Sequence, residues 1–95
     1  MDESKAIEYL MHFGMSRQEA TVYLRLIEAG KQTGYEIARD TGISRSNVYA
    51  SLAALVEKGA AYLVEEDAKR YIPVHVQEFL SLIHISEPTR LQLIS

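Results

Sequence analysis

A mostly α-helical unit closed by a small β-hairpin is the fold that this 95-residue sequence predicts. Three observations carry it. Four segments place apolar residues at helical spacing, and each is stopped by a glycine: Gly14, Gly30, Gly42 and Gly59. Ala38, Gly42 and Val48 stand at the A-x3-G-x5-V spacing of two helices that meet at a tight turn. After Gly59 the helical period gives way to two short strand-like runs around a polar turn. Taken in that order, the elements make a winged helix-turn-helix.

The first helix is expected over residues 4–13, where Ile7, Leu10 and Met11 recur at helical spacing. Ser16-Arg17-Gln18-Glu19 opens the second helix as a capping box, in which Ser16 and Glu19 each satisfy a backbone donor that the helix start leaves free. Its expected buried stripe is Ala20, Tyr23, Leu24 and Ile27. The third helix is expected over residues 34–41, with Ile37 and Ala38 facing inward. Ser44 caps the fourth, which runs to about Lys58 and is expected to bury Val48, Leu52, Leu55 and Val56. Leu24, Ile27, Ile37, Ala38, Val48, Leu52 and Leu55 are expected to share one core. Within the turn, Ala38 is small where the helices cross, and Gly42 can adopt the left-handed backbone. Residues 61–64 read as a strand, 65–68 as a turn, and 69–73 as the returning strand with Pro73 at its edge. Residues 76–79 are expected to begin a further helix.

Composition narrows the function classes. The chain is 47% hydrophobic and 24% charged, as in an ordinary globular domain. It holds no cysteine, which excludes a disulfide framework, thiolate zinc sites, iron–sulfur clusters and a cysteine nucleophile. That usage fits a reducing cytoplasm. No apolar run approaches the ~18 residues of a membrane span, and the acidic start MDESKAIEYL is not a signal peptide. A cytoplasmic protein with no membrane partner is expected. The net charge of −3 disfavours indiscriminate nucleic-acid binding but leaves room for a local reading surface. His12 and His75 lack metal-ligand spacing, and there is no nucleophile elbow or glycine-rich phosphate loop. The sequence therefore predicts no catalytic residue, no metal and no cofactor.

Residues 80–95 read LSLIHISEPTRLQLIS. The first eleven, LSLIHISEPTR, equal the translation of a common tagmentation sequencing adapter. Leu91-Gln92-Leu93 occupy the place of the sample barcode, and Ile94-Ser95 match the ATC-TCG that follows it. The tail is expected to be non-native, and His84, Glu87 and Arg90 receive no functional weight. Residues 1–79 are then expected to be a winged-helix DNA-binding domain cut from a longer protein.

The chemistry concentrates in residues 41–56, which hold one charge, Arg45, and no acid. The start of the fourth helix exposes Ser44, Arg45, Ser46, Asn47 and Tyr49. Arginine can pair bidentately with a guanine edge and asparagine with adenine. The free donors of a helix start, with serine hydroxyls beside them, suit a phosphate. Structural roles compete with these: Ser44 as a cap, and Tyr49 packed against the third helix. In the hairpin, Lys69 and Arg70 could lie along a DNA backbone and add sequence-independent affinity. Glu65, Glu66 and Asp67 in the same turn would repel phosphate, and adjacent carboxylates there do not converge on a metal. The reading is a sequence-specific regulator whose recognition helix, about residues 44–58, enters the major groove of double-stranded DNA. The alternative is a winged helix that binds another protein without touching DNA.

Residues 10–79 resemble the N-terminal winged-helix domain of the TrmB family of transcriptional regulators. The resemblance rests on Phe13-Gly14-Met15-Ser16-Arg17-Gln18-Glu19-Ala20, Val22-Tyr23-Leu24-Arg25-Leu26-Ile27 and Tyr35-Glu36-Ile37-Ala38. It continues through Gly42-Ile43-Ser44-Arg45-Ser46-Asn47-Val48-Tyr49, Leu52 to Leu55, Glu57-Lys58-Gly59 and Tyr71-Ile72-Pro73-Val74. Ser44 to Tyr49 is its most specific piece. The resemblance implies DNA-binding regulation, usually as a homodimer, with a C-terminal effector domain that senses sugars in some members. By the same resemblance the effector domain is absent here, and residues 74–79 are the hydrophobic hinge after the wing. The acidic hairpin turn departs from the family pattern.

Overall fold

The structure, a computed structural model, describes residues 3–74. The helix expected over 76–79, His75 and the 80–95 tail lie outside the described residues. The elements follow in the order α1 (Glu3–Met11), α2 (Arg17–Ala29), β1 (Gln32–Thr33), α3 (Gly34–Thr41), α4 (Arg45–Glu57), β2 (Ala61–Glu65) and β3 (Lys69–Pro73).

Local chemistry sets the helix starts. At α2 the expected capping box is formed: the Glu19 N–H donates to Ser16 Oγ at 3.0 Å, and the Ser16 N–H donates to Glu19 Oε1 at 3.1 Å. A second box, not expected from the sequence, starts α3. The Glu36 N–H donates to Thr33 Oγ1 at 3.1 Å, and the Thr33 N–H donates to Glu36 Oε1 at 2.9 Å. Between α3 and α4, Gly42 takes the left-handed conformation with φ 78°, and its N–H donates to the Ala38 carbonyl at 2.9 Å. A side chain would strain that turn, which is why glycine stands there.

The core gathers Leu10, Tyr23, Leu26, Ile37, Val48, Leu52 and Leu55, with Val22 and Ala20, against Tyr71 of β3 and Val74 just beyond it. Several expectations need correction. Helix α1 ends at Met11 rather than at Phe13, and Met11 is exposed while Met15, beyond the helix, is buried. Ile27 is 38% exposed, and Leu24 and Ala38 are only half-buried against the core. Val22 and Leu26 take the inward places on α2. The cause is that α2 is packed by α1, α3, α4 and β3, so its buried surface is wider than one stripe and turned away from Ile27. Val56 is likewise 38% exposed, and Ser51 lies inside instead.

The hairpin belongs to a three-stranded antiparallel sheet of order β1-β3-β2. Gln32 pairs with Tyr71 and Thr33 with Arg70 on one side of β3; Leu63 pairs with Tyr71 and Glu65 with Lys69 on the other. Strand β1 was not expected, because two residues are too few to show alternation. It stops short of Pro73, so the missing proline N–H costs no rung of the β1–β3 ladder. The end of β3 is clamped to the helices. The Val74 N–H donates to the Ala60 carbonyl at 2.9 Å, and the Tyr23 hydroxyl donates to the Val74 carbonyl at 2.6 Å. Burial pushes the Tyr23 phenol up to about 12. At the end of α4, Lys58 Nζ donates to the Gly14 carbonyl at 2.9 Å and pairs with the Glu19 carboxylate. Both ties fix the wing and the last helix against α2, the centre of the bundle.

Candidate nucleic-acid interface

The first turn of α4 stands free on the surface. Ser44 is its N-cap, with Oγ accepting the Asn47 N–H at 3.3 Å. The capping role expected for Ser44 is therefore present, and it leaves Ser44 exposed beside Arg45, Ser46 and Asn47. A helix start directs its first N–H groups outward without intrahelical partners, so this turn combines backbone donors with hydroxyl, amide and guanidinium groups. Arg45 lies over the ring of Tyr35, its guanidinium carbon 5.5 Å from the ring centroid. Tyr49 is 43% exposed, and part of its ring packs on α3. A Cβ on Gly34 would lie 2.4 Å from Tyr49 Cε1, so a larger residue there would push the exposed Tyr49 ring aside. The structure brings Ser44, Arg45, Ser46 and Asn47 together and gives Tyr49 a packing role as well.

The two wing cations differ. Lys69 is exposed at the start of β3, across from Glu65. Arg70 is enclosed by acids. Its guanidinium lies 3.4 Å from Asp67 Oδ2, 3.7 Å from Glu66 Oε1 and 3.9 Å from Glu36 Oε1. The hydrogen bond and charge of Arg70 hold the Asp67 carboxyl below its ordinary range. Glu36 is also lowered, first by the Thr33 N–H it accepts and then by Arg70 and Arg39. Glu66 reaches across to Lys31 at 3.1 Å. The acidic turn thus turns its carboxylates onto Arg70 and Lys31. One turn further along α3 from Glu36, Gln32 and Arg25 meet Asp40, where Arg39, then Gln32 and Arg25, keep the Asp40 carboxyl below its usual value.

Two contributors escaped sequence reasoning: Tyr35, beneath Arg45, and Gly34, which makes space for Tyr49. The only sequence signal for either was their position just after Thr33, at the start of a capped helix. Among the described residues, no group of three or more His, Asp or Glu side chains is arranged to hold a metal ion. No helix among them is long and apolar enough to cross a membrane.

A helix-turn-helix with an exposed, acid-free second-helix start and a β wing behind it defines a winged-helix domain of the DNA-binding regulator class. The family described as "Sugar-specific transcriptional regulator TrmB" matches residues 10–77, and the chain belongs to that family. Among curated relatives, the HTH-type sugar sensing transcriptional regulator TrmBL1 of Pyrococcus furiosus is 28% identical over 95 residues, covering 97% of this chain and 28% of the relative. The chain spans little more than a quarter of that protein's length. Among solved structures, TrmBL2, titled an archaeal chromatin protein with a novel mode of DNA binding, superposes with a TM-score of 0.84 at 27% identity. That match covers 97% of this chain and 36% of TrmBL2. MepR, a transcription regulator of the Staphylococcus aureus multidrug efflux pump MepA, shares the fold with a TM-score of 0.59 at 20% identity, over 98% of this chain and 76% of its own.

Proposed function

We propose that this chain binds double-stranded DNA in sequence-specific transcription regulation, with the start of α4 in the major groove. Arg45 and Asn47 read base edges, Ser46 and the helix-start donors take phosphate, and Ser44 chiefly orders the turn. Tyr49 braces α4 on Gly34 and presents its exposed edge to the backbone. Lys69 supplies a wing contact to phosphate. Arg70 contributes less, because its charge is already matched by Glu36, Glu66 and Asp67. The observation that carries the reading is the exposed first turn of α4, with Arg45 as the one charge among residues 41–56. The chromatin protein TrmBL2 supports DNA as the partner, while the novelty of its binding mode makes the docking of α4 the point to test.

The whole protein is proposed to act as a homodimer and to answer a small-molecule effector, a sugar, through a region outside this chain. The family description supports the effector class. We assign DNA binding to residues 1–79 and treat 80–95 as a non-native tail. The family match ending at residue 77 fits that boundary, whereas the alignment with TrmBL1 runs over nearly the whole chain. A cytoplasmic location and the absence of catalysis complete the proposal. The experiment is a gel shift of the 95-residue chain on bulk double-stranded DNA at low salt. Retardation that weakens as salt rises is expected. No retardation at micromolar protein would replace the reading with a protein-interaction module.

A further inference from the structure

Tyr35 lies outside the set of DNA-contacting residues expected from the sequence, yet its ring supports Arg45. It is the second residue of α3 and 53% exposed, so it is not there to fill the core. The start of α3 meets α4 twice: Gly34 against the ring of Tyr49, and Tyr35 under the guanidinium of Arg45. No carboxylate among the described residues takes Arg45, in contrast to Arg70, which meets three.

We propose that Tyr35 is a positioning residue for DNA recognition, holding the Arg45 guanidinium ordered at the start of α4 for a bidentate contact with a guanine. The inference rests on Arg45 being a base-reading residue. An exposed arginine gives up the freedom of a long side chain when it docks. A surface that has already ordered it lowers that cost before DNA arrives. With no carboxylate upon it among the described residues, the Arg45 guanidinium keeps its edge donors uncommitted, since the ring attracts its charge without accepting those N–H groups in an ion pair. Those edge donors are the ones that guanine O6 and N7 accept. The acid pairs around Arg70 do the reverse, because they occupy the edge.

The test uses the 95-residue chain and two probes: a duplex selected by that chain from a random-sequence library, and sheared genomic DNA. Tyr35→Leu is expected to lower the preference for the selected duplex about two- to fivefold, the worth of an exposed cation–π contact, with little change on bulk DNA. Tyr35→Phe keeps the ring and restores the preference. In an Arg45→Ala background, Tyr35→Leu adds no further loss. In nuclear magnetic resonance spectra of the free chain, ring-current shifts of the Arg45 side chain are present in the wild type and Tyr35→Phe, and vanish in Tyr35→Leu while the other signals stay. The proposal is overturned by tighter binding of Tyr35→Leu, by losses from the two sites that add, by a Tyr35→Phe loss equal to that of leucine, or by unshifted Arg45 signals in the wild type. If Arg45→Ala lowers the preference and Tyr35→Leu does not, the positioning role alone fails. If Arg45→Ala leaves the preference intact, the base-reading role of Arg45 fails and takes the positioning role with it.

Discussion

Replacing Tyr23 with phenylalanine removes one oxygen from the joint between the helices and the wing. Tyr23 is fully buried, and its hydroxyl donates at 2.6 Å to the carbonyl of Val74, itself 3% exposed. The ring stays, so packing is kept. What is lost is a hydrogen bond to a buried acceptor, a cost of about 1–3 kcal/mol near neutral pH. The phenol adds a pH signature. Its ordinary value is 10, and burial pushes it up to about 12. Below the unfolded value both states keep the proton, and the contribution of Tyr23 is complete. As pH rises from there through the folded value, the unfolded chain ionises first and the folded state loses about 3 kcal/mol. Phenylalanine has no proton to lose, so the stability gap between the two proteins narrows from about pH 10 upward. Urea unfolding followed by circular dichroism, from neutral to about pH 11, measures both effects. Equal stability at neutral pH together with parallel alkaline decline would mean that this hydroxyl is neither buried nor bonded, and that β3 is held to α2 in some other way.

Leu52, fully buried at the centre of α4, loses about 2–5 kcal/mol of stability on Leu52→Ala, enough to unfold a domain this small; a denaturant-measured loss below about 1 kcal/mol would contradict its place in the core. Glu66→Gln releases Lys31 and Arg70 from one carboxylate, so bulk-DNA affinity at low salt rises and the log–log salt slope steepens by about one, at little cost to stability; unchanged binding would put the wing away from the DNA. Deleting residues 80–95 leaves the melting temperature and DNA affinity unchanged if the tail is foreign, and a large drop in melting temperature would contradict that origin.

What the sequence disclosed follows from the range of the interactions. The Ser16–Glu19 box, the stops at Gly30 and Gly42 and the Ala38–Gly42–Val48 spacing act within a few residues, and each stands in the structure where the pattern predicts, whereas α1 ends three residues before Gly14. Long-range packing decided the rest. Leu26 and Val22 displace Ile27 from the core because α2 is surrounded, which no single-helix periodicity reports. Strand β1 exists because β3 offers it an edge. In the candidate interface, the polar first turn of α4 was legible as an exposed run of reading-type side chains. Tyr35 and Arg45 are brought together only by the turn at Gly42. The neutralisation of Arg70 by Glu36 depends on β3 lying against the start of α3, far away in sequence. Charge order along the hairpin could show that acids lie near Arg70, but not that they would enclose it.

Arg45→Ala, measured on a selected duplex and on bulk DNA across several salt concentrations, separates base reading by α4 from mere phosphate binding. If Arg45 reads a guanine, the loss is about 1–3 kcal/mol on the selected duplex with a relaxed preference at one base pair, and smaller on bulk DNA. Weakening that is equal on both probes, with a salt slope reduced by about one, would assign Arg45 to phosphate rather than to a base. Unchanged binding to both DNAs with the fold intact would contradict the claim that α4 reads DNA and would leave the winged helix as a surface for another protein.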